Sequence, residues 1–108
     1  MSAYVFVSGP LFSSGRITDN VRLAIEAGDR LMNLGFKPFL PHLSVYADTV
    51  KPRPEDDWVR LDLDWLLKCD AVLRLPGYSF HGDRETAFAK AMFIPVFYSI
   101  EELAEELG

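Results

Sequence analysis

Four short apolar runs alternate with stretches of helical periodicity along this chain. Tyr4-Val5-Phe6-Val7 is an unbroken apolar run that stops at Ser8-Gly9-Pro10. After a Leu11–Gly15 loop, Val21, Leu23, Ala24, Ala27, Leu31 and Leu34 recur at helical spacing through Asn33, with Thr18 or Asp19 as the cap and Gly35 as the stop. Phe36 to Leu40 reads as a second strand, and its internal Pro38 places it at a sheet edge, because proline cannot donate to a central ladder. A long connection from Pro41 to Pro54 follows, and such a connection in so small a chain is more often functional than idle. Glu55 to Lys68 predicts a helix with Trp58, Leu61, Trp65, Leu66 and Cys69 toward a core.

Residues 71–75, Ala-Val-Leu-Arg-Leu, read as a buried parallel strand that ends at Pro76-Gly77. A polar loop from Tyr78 to Arg84 leads into a helix with Ala87, Phe88, Ala91 and Met92 on one face. Residues 94–98 form the last strand, and residues 100–107 a short acidic helix. The order β-α-β-α-β-α-β-α implies right-handed crossovers and an α/β fold: a small, doubly wound parallel sheet, flavodoxin-like or Rossmann-like, with strand order 2-1-3-4. In that order the loops after the first and third strands flank one crevice, where open α/β sheets bind ligands.

Composition narrows the function. At 108 residues, 49% apolar and 25% charged, residues 1–108 are expected to form one globular domain. A formal net charge of −5 argues against a nucleic-acid polymer as partner, though not against a single nucleotide. One cysteine excludes an internal disulfide and a cysteine-based zinc site. No apolar run reaches the ~18 residues of a membrane span, and Met1-Ser2-Ala3 leads directly into a strand, so the expectation is a cytoplasmic protein without a membrane partner. There is neither a GxGxxG fingerprint nor a GxxxxGK[ST] loop. Residues 11–15, Leu-Phe-Ser-Ser-Gly, are a poor flavin-phosphate loop, and no spacing of His42 and His81 with carboxylates is diagnostic of a metal, so no cofactor and no metal are expected. Ser79, His81 and Asp83 resemble a serine triad in letters only, because they alternate within one short segment.

A pair of carboxylates remains, Asp62 and Glu85, on two helices that border the third strand. Asp62 shares a helix side with Trp58 and Leu66, an unusual place for an acid. The strand ending Ser8-Gly9-Pro10, the Pro41-His42 pair, the block DLDWLLKCDAVLRLPG and the Glu85 helix followed by IPVF together resemble the nucleoside 2-deoxyribosyltransferase superfamily, including the deoxynucleoside monophosphate N-glycosidases. The resemblance runs from about residue 4 to 98. It implies cleavage of the N-glycosidic bond of a nucleoside or nucleoside monophosphate, by hydrolysis or base exchange, in a homo-oligomer. It makes Glu85 the nucleophile and Asp62 the residue assisting departure of the base. Ser79 then contacts the sugar or its 5′-phosphate, Gly9 lines the pocket, His42 lies near the substrate, and the Gly82 amide at a helix N-terminus faces a phosphate. The helix dipole is expected to lower the pKa of Glu85.

Two positions depart from the family pattern. A tyrosine whose hydroxyl holds the nucleophile is replaced by Phe6, and Tyr4 lies one step back on the same strand face, ~7 Å away. Asp83-Arg84 stand where small residues precede the glutamate, and Arg84 is positioned either to pair with Glu85 or to bind phosphate. The Phe6 departure favours a second reading, a non-catalytic nucleotide-binding module on the same fold. A third is a structural oligomer using the helix of Trp58 and Trp65.

Overall fold

The structure, a computed structural model, describes residues 3–12 and 15–108. Ser13 and Ser14, the serines of the first loop, lie outside the described residues. A four-stranded parallel sheet has the order β2-β1-β3-β4, with β1 at Tyr4–Ser8, β2 at Lys37–Phe39, β3 at Ala71–Arg74 and β4 at Val96–Phe97. This is the expected 2-1-3-4 order. Pro38 sits on the edge strand, opposite Val5, where its missing N–H breaks no ladder. β1 runs one residue further than expected, to Ser8, and the other three strands are shorter than expected; at the last one, Pro95 still accepts from the Val72 N–H at 2.9 Å.

Helices cover both faces. Alternation along β1 and β3 sends Val5, Val7, Ala71 and Leu73 to one side. There they pack on α1 (Ile17–Asn33) and α5 (Ile100–Leu107) through Ala24, Leu31, Ile100 and Leu103. Phe6 and Val72 face the other side, against Leu66 of α3 (Glu55–Leu66) and Ala89 of α4 (Phe80–Ala91). Burying a side chain such as Leu31 or Leu66 contributes about 1.5–3 kcal/mol. α1 ends as expected at Gly35: the Gly35 N–H donates to Met32 and the Phe36 N–H to Leu31, the paired bonds of a Schellman stop. Among the described residues no helix is long and apolar enough to cross a membrane.

Several local expectations are corrected. Neither Thr18 nor Asp19 caps α1; the N-cap is Arg16, without a side-chain bond, and both residues lie in the first turn. Leu23 and Leu34 are exposed at the flanks of the α1 stripe, and Leu61 and Trp65 are exposed on α3, where Trp65 instead stacks on Phe39 at 5.4 Å. On α4 the inward face is Gly82, Thr86 and Ala89, while Ala87, Ala91 and Met92 are exposed. Both sets have helical spacing, and the set of small residues wins because α4 lies close over Arg74 and Ser8. The long connection is also not irregular. It contains a 3-10 turn, Pro41–Leu43, and a helix α2, Ser44–Val50.

Candidate functional site

A cavity of about 490 Å³ opens where the chain reverses between β1 and β3, within the size range of small-molecule sites. Gly9, Leu11 and Phe12 after β1 form one wall, and His42, Val45 and Asp48 from the 3-10 turn and α2 form the second. The third is α3, through Trp58 and Asp62, and the fourth is the start of α4 with Tyr78, Ser79, Phe80, Arg84 and Glu85.

Side-chain bonds fix these walls. The Asn20 amide donates to the Leu11 carbonyl at 2.8 Å, tying the β1 loop to α1. His42 Nε2 lies 3.0 Å from the Pro10 carbonyl. That bond needs a proton on Nε2, and burial lowers the His42 pKa, so the ring is neutral with Nδ1 as an acceptor. His42 is only 3% exposed, and Nδ1 has no hydrogen-bond partner among the described residues. Asp48 accepts from the Trp58 indole N–H at 2.7 Å and the Arg53 backbone N–H at 2.9 Å, which holds α2 against α3. These bonds hold the Asp48 carboxyl below its ordinary range. At the mouth, His81 Nε2 meets Glu55 Oε1 at 2.7 Å, bridging the first turns of α4 and α3.

Glu85 reaches the cavity from α4. It is the sixth residue of α4, not a first-turn residue. The segment expected as a loop is helical from Phe80, because Ser79 is the N-cap and its Oγ accepts from the Gly82 N–H at 2.9 Å. The expected depression of the Glu85 pKa by the dipole is therefore wrong, since that effect fades beyond the first turn. Burial instead pushes its carboxyl up to about 7, and the nearby Asp62 charge adds to the rise. The opposing influences are a hydrogen bond from Ser8 and the charges of Arg74 and Arg84. Asp62 is likewise pushed up to about 7 by burial.

The Ser8 hydroxyl donates to Glu85 Oε1 at 2.6 Å. Ser8 closes β1 and is 0% exposed. It shares a strand face with Tyr4 and Phe6, one step forward rather than back. The β1 parity signal therefore pointed to it as well as to Tyr4. Below α4 the buried Arg74 guanidinium donates to the carbonyls of Leu75 and Gly77 and pairs with Asp83 at 3.1 Å. Gly82 packs on this group; a Cβ there would lie 3.0 Å from Arg74 Nε and Cζ and 3.0 Å from Ser79 Oγ. Gly9 is equally constrained, since a Cβ there would fall 2.8 Å from Leu75 Cβ.

Gly82→Ala is expected to lower stability by about 1–2 kcal/mol, despite alanine's higher helix propensity. The guanidinium cannot yield without releasing its carbonyl partners. Chemical denaturation of the two proteins measures this; a stabilised Gly82→Ala would mean that Arg74 is free to move.

Of the residues singled out in the sequence, Glu85, Asp62, Gly9, Ser79 and His42 line one cavity. Two do not. Phe6 is fully buried, stacked on Phe39 at 5.6 Å, because it lies deeper in β1 than the cavity floor. Gly82 faces Arg74, and its amide is committed to the Ser79 cap, so it is not the open phosphate donor expected. Arg84 does not pair with Glu85: its guanidinium lies 5.7 Å from the centre of the Phe80 ring, at the cavity wall.

The fold is shared with a solved structure. A 2-deoxyribosyltransferase from the psychrotolerant bacterium Bacillus psychrosaccharolyticus superposes with a TM-score of 0.59 over 91% of this chain and 76% of that one, at 17% identity. No family model and no curated protein matches the sequence. The nucleoside 2-deoxyribosyltransferase-like character read from the sequence therefore holds at the level of the fold.

Proposed function

We propose that this protein cleaves the N-glycosidic bond of a nucleoside or nucleoside monophosphate, by hydrolysis or base exchange, with Glu85 as nucleophile and Asp62 as proton donor. The observation that carries this reading is the convergence of the two acids, from facing helices, on one aromatic-walled cavity at the sheet's switch point. The shared fold supports it, since the similar protein is a deoxyribosyltransferase described as a biocatalyst for nucleoside synthesis.

The chemistry follows from the environment of each acid. Two interacting carboxyls, each pushed up to about 7, hold roughly one proton between them near neutrality. Glu85 has the hydrogen-bond donor and the nearer positive charges, so it carries the negative charge; among the described residues no hydrogen bond to Asp62 offsets its burial. Ionised Glu85 attacks the anomeric carbon, and the bond to the base nitrogen breaks with its electron pair going to the base. The Asp62 carboxyl protonates that base as it departs. Water or a second base then displaces Glu85 from the glycosyl ester, with Asp62 taking up the proton of the incoming nucleophile. Trp58, Phe12 and Phe80 offer faces for a flat base, and Arg84 offers positive charge to a phosphate.

The Phe6 departure no longer favours a binding module without catalysis, because Ser8 supplies the hydroxyl that Phe6 lacks. The test is a panel of ribo- and deoxyribonucleosides and their 5′-monophosphates, with and without an acceptor base, read by chromatography of free base. Release from at least one member is expected. No release or exchange from any of them refutes the reading.

A further inference from the structure

We propose that Ser8 is the positioning residue of the Glu85 nucleophile, its hydroxyl clamping Oε1 so that Oε2 is the oxygen that attacks. The inference rests on the reading of Glu85 as nucleophile given above. Its basis is the geometry at the end of β1. Ser8 Oγ lies within reach of two acceptors, Glu85 Oε1 at 2.6 Å and the Gly82 carbonyl at 3.5 Å. A hydroxyl has one proton, and the shorter contact falls in the range of charge-assisted O–H···O⁻ bonds, so the proton goes to the carboxylate. The 3.5 Å contact is too long to compete.

Among the described residues no other group does this. Arg74 is the nearest buried cation, but its bonds go to Leu75, Gly77 and Asp83, so it acts on Glu85 through space only. Arg84 leans on Phe80. Within the described residues no hydrogen bond reaches Glu85 Oε2. Ser8 is itself rigid, since it belongs to a strand paired with β3 opposite Arg74 and its carbonyl accepts from the Leu75 N–H at 2.7 Å. A donor on a rigid strand fixes both the direction of the carboxylate and its charge. A donor in a loop would fix neither.

Two measurements test this, one independent of turnover. The first follows the Glu85 carboxyl by ¹³C NMR as pH is varied, with the resonance assigned by its loss in Glu85→Gln and the coupling removed by Asp62→Asn. Against that background, Ser8→Ala is expected to raise the Glu85 midpoint by about one pH unit or more, because a bond to the charged form is lost. Ser8→Cys preserves the volume with a poorer donor, so it shifts the midpoint the same way but less, and it serves if the alanine variant does not fold. The second measurement is base release with Asp62 intact. Ser8→Ala is expected to lower kcat about tenfold or more below neutrality, less at pH 8, with KM little changed, as for a group that acts on the nucleophile and not on substrate binding. An unmoved midpoint in both variants, or a pH-independent loss confined to KM, overturns the proposal. If the wild type releases no base from any substrate, the nucleophile reading fails, and the titration still decides whether Ser8 sets the ionisation of Glu85.

Discussion

Glu85→Gln is expected to abolish base release, with a loss of about a thousandfold or more in kcat. The substitution is the right one because it changes little else. Glutamine keeps the length of the side chain and an Oε1 that can accept from Ser8, so the 2.6 Å bond has a successor. It removes the charge and the nucleophilicity. Alanine would be a poorer test, since it would leave the fully buried Ser8 hydroxyl without its partner and add a folding defect to a chemical one. The measurement is free base per unit time on the best substrate of the panel, with circular dichroism to show that the fold survives. Activity within about tenfold of wild type would remove Glu85 from the role of nucleophile.

Asp62→Asn should lower kcat by about 10²–10⁴-fold, the range for loss of a positioned general acid. The loss should be smallest for substrates whose base departs easily without protonation. The wild-type rate is expected to follow a bell-shaped pH profile centred near neutrality, because Glu85 must be ionised while Asp62 keeps its proton, and both groups are pushed up to about 7. In Asp62→Asn the alkaline limb disappears and the acid limb remains.

The same substitution carries a stability signature of opposite sign. The Asp62 carboxyl titrates at about 7 in the folded protein, up from an ordinary value of 3.8. Between those values the folded state holds a proton that the unfolded state has lost, so stability falls as pH rises, and the whole penalty is present above about 7. Asp62→Asn removes it. Discounting for partial exposure, the variant should be more stable than wild type by about one to a few kcal/mol at pH 8 and nearly equal at pH 4. Thermal denaturation at the two pH values measures this. Equal stability at both would place Asp62 in water, where it could not keep a proton for the base. Lower activity with higher stability is the mark of an acid kept in the fold for chemistry.

The architecture was legible because it rests on local patterns. The apolar runs 4–7 and 71–75, the Pro38 edge, the Gly35 stop and the α5 stripe each carried enough signal to place their element, and their alternation dictated a parallel sheet in the order observed. α2 was missed because its signal is weak: seven residues, none buried, with only Ser44, Val45 and Asp48 toward the cavity. The start of α4 was missed because Gly82 reads as a loop residue. Here it marks the close approach of a helix to a buried arginine.

The sequence by itself determined the strand order, the switch-point crevice and the two acids that face it. These follow from the period of apolar residues and from residue types at fixed spacing. Only the tertiary structure decided the state of those acids. Burial between α3, α4 and the sheet raises both carboxyls toward neutrality, where the sequence alone had argued for a depressed Glu85. Only the structure brought Ser8, 77 residues away in the chain, to 2.6 Å from Glu85. Ionisation and hydrogen bonding depend on which groups end up within a few ångströms of each other and how much water remains between them, and neither quantity is written in the order of residues along a chain.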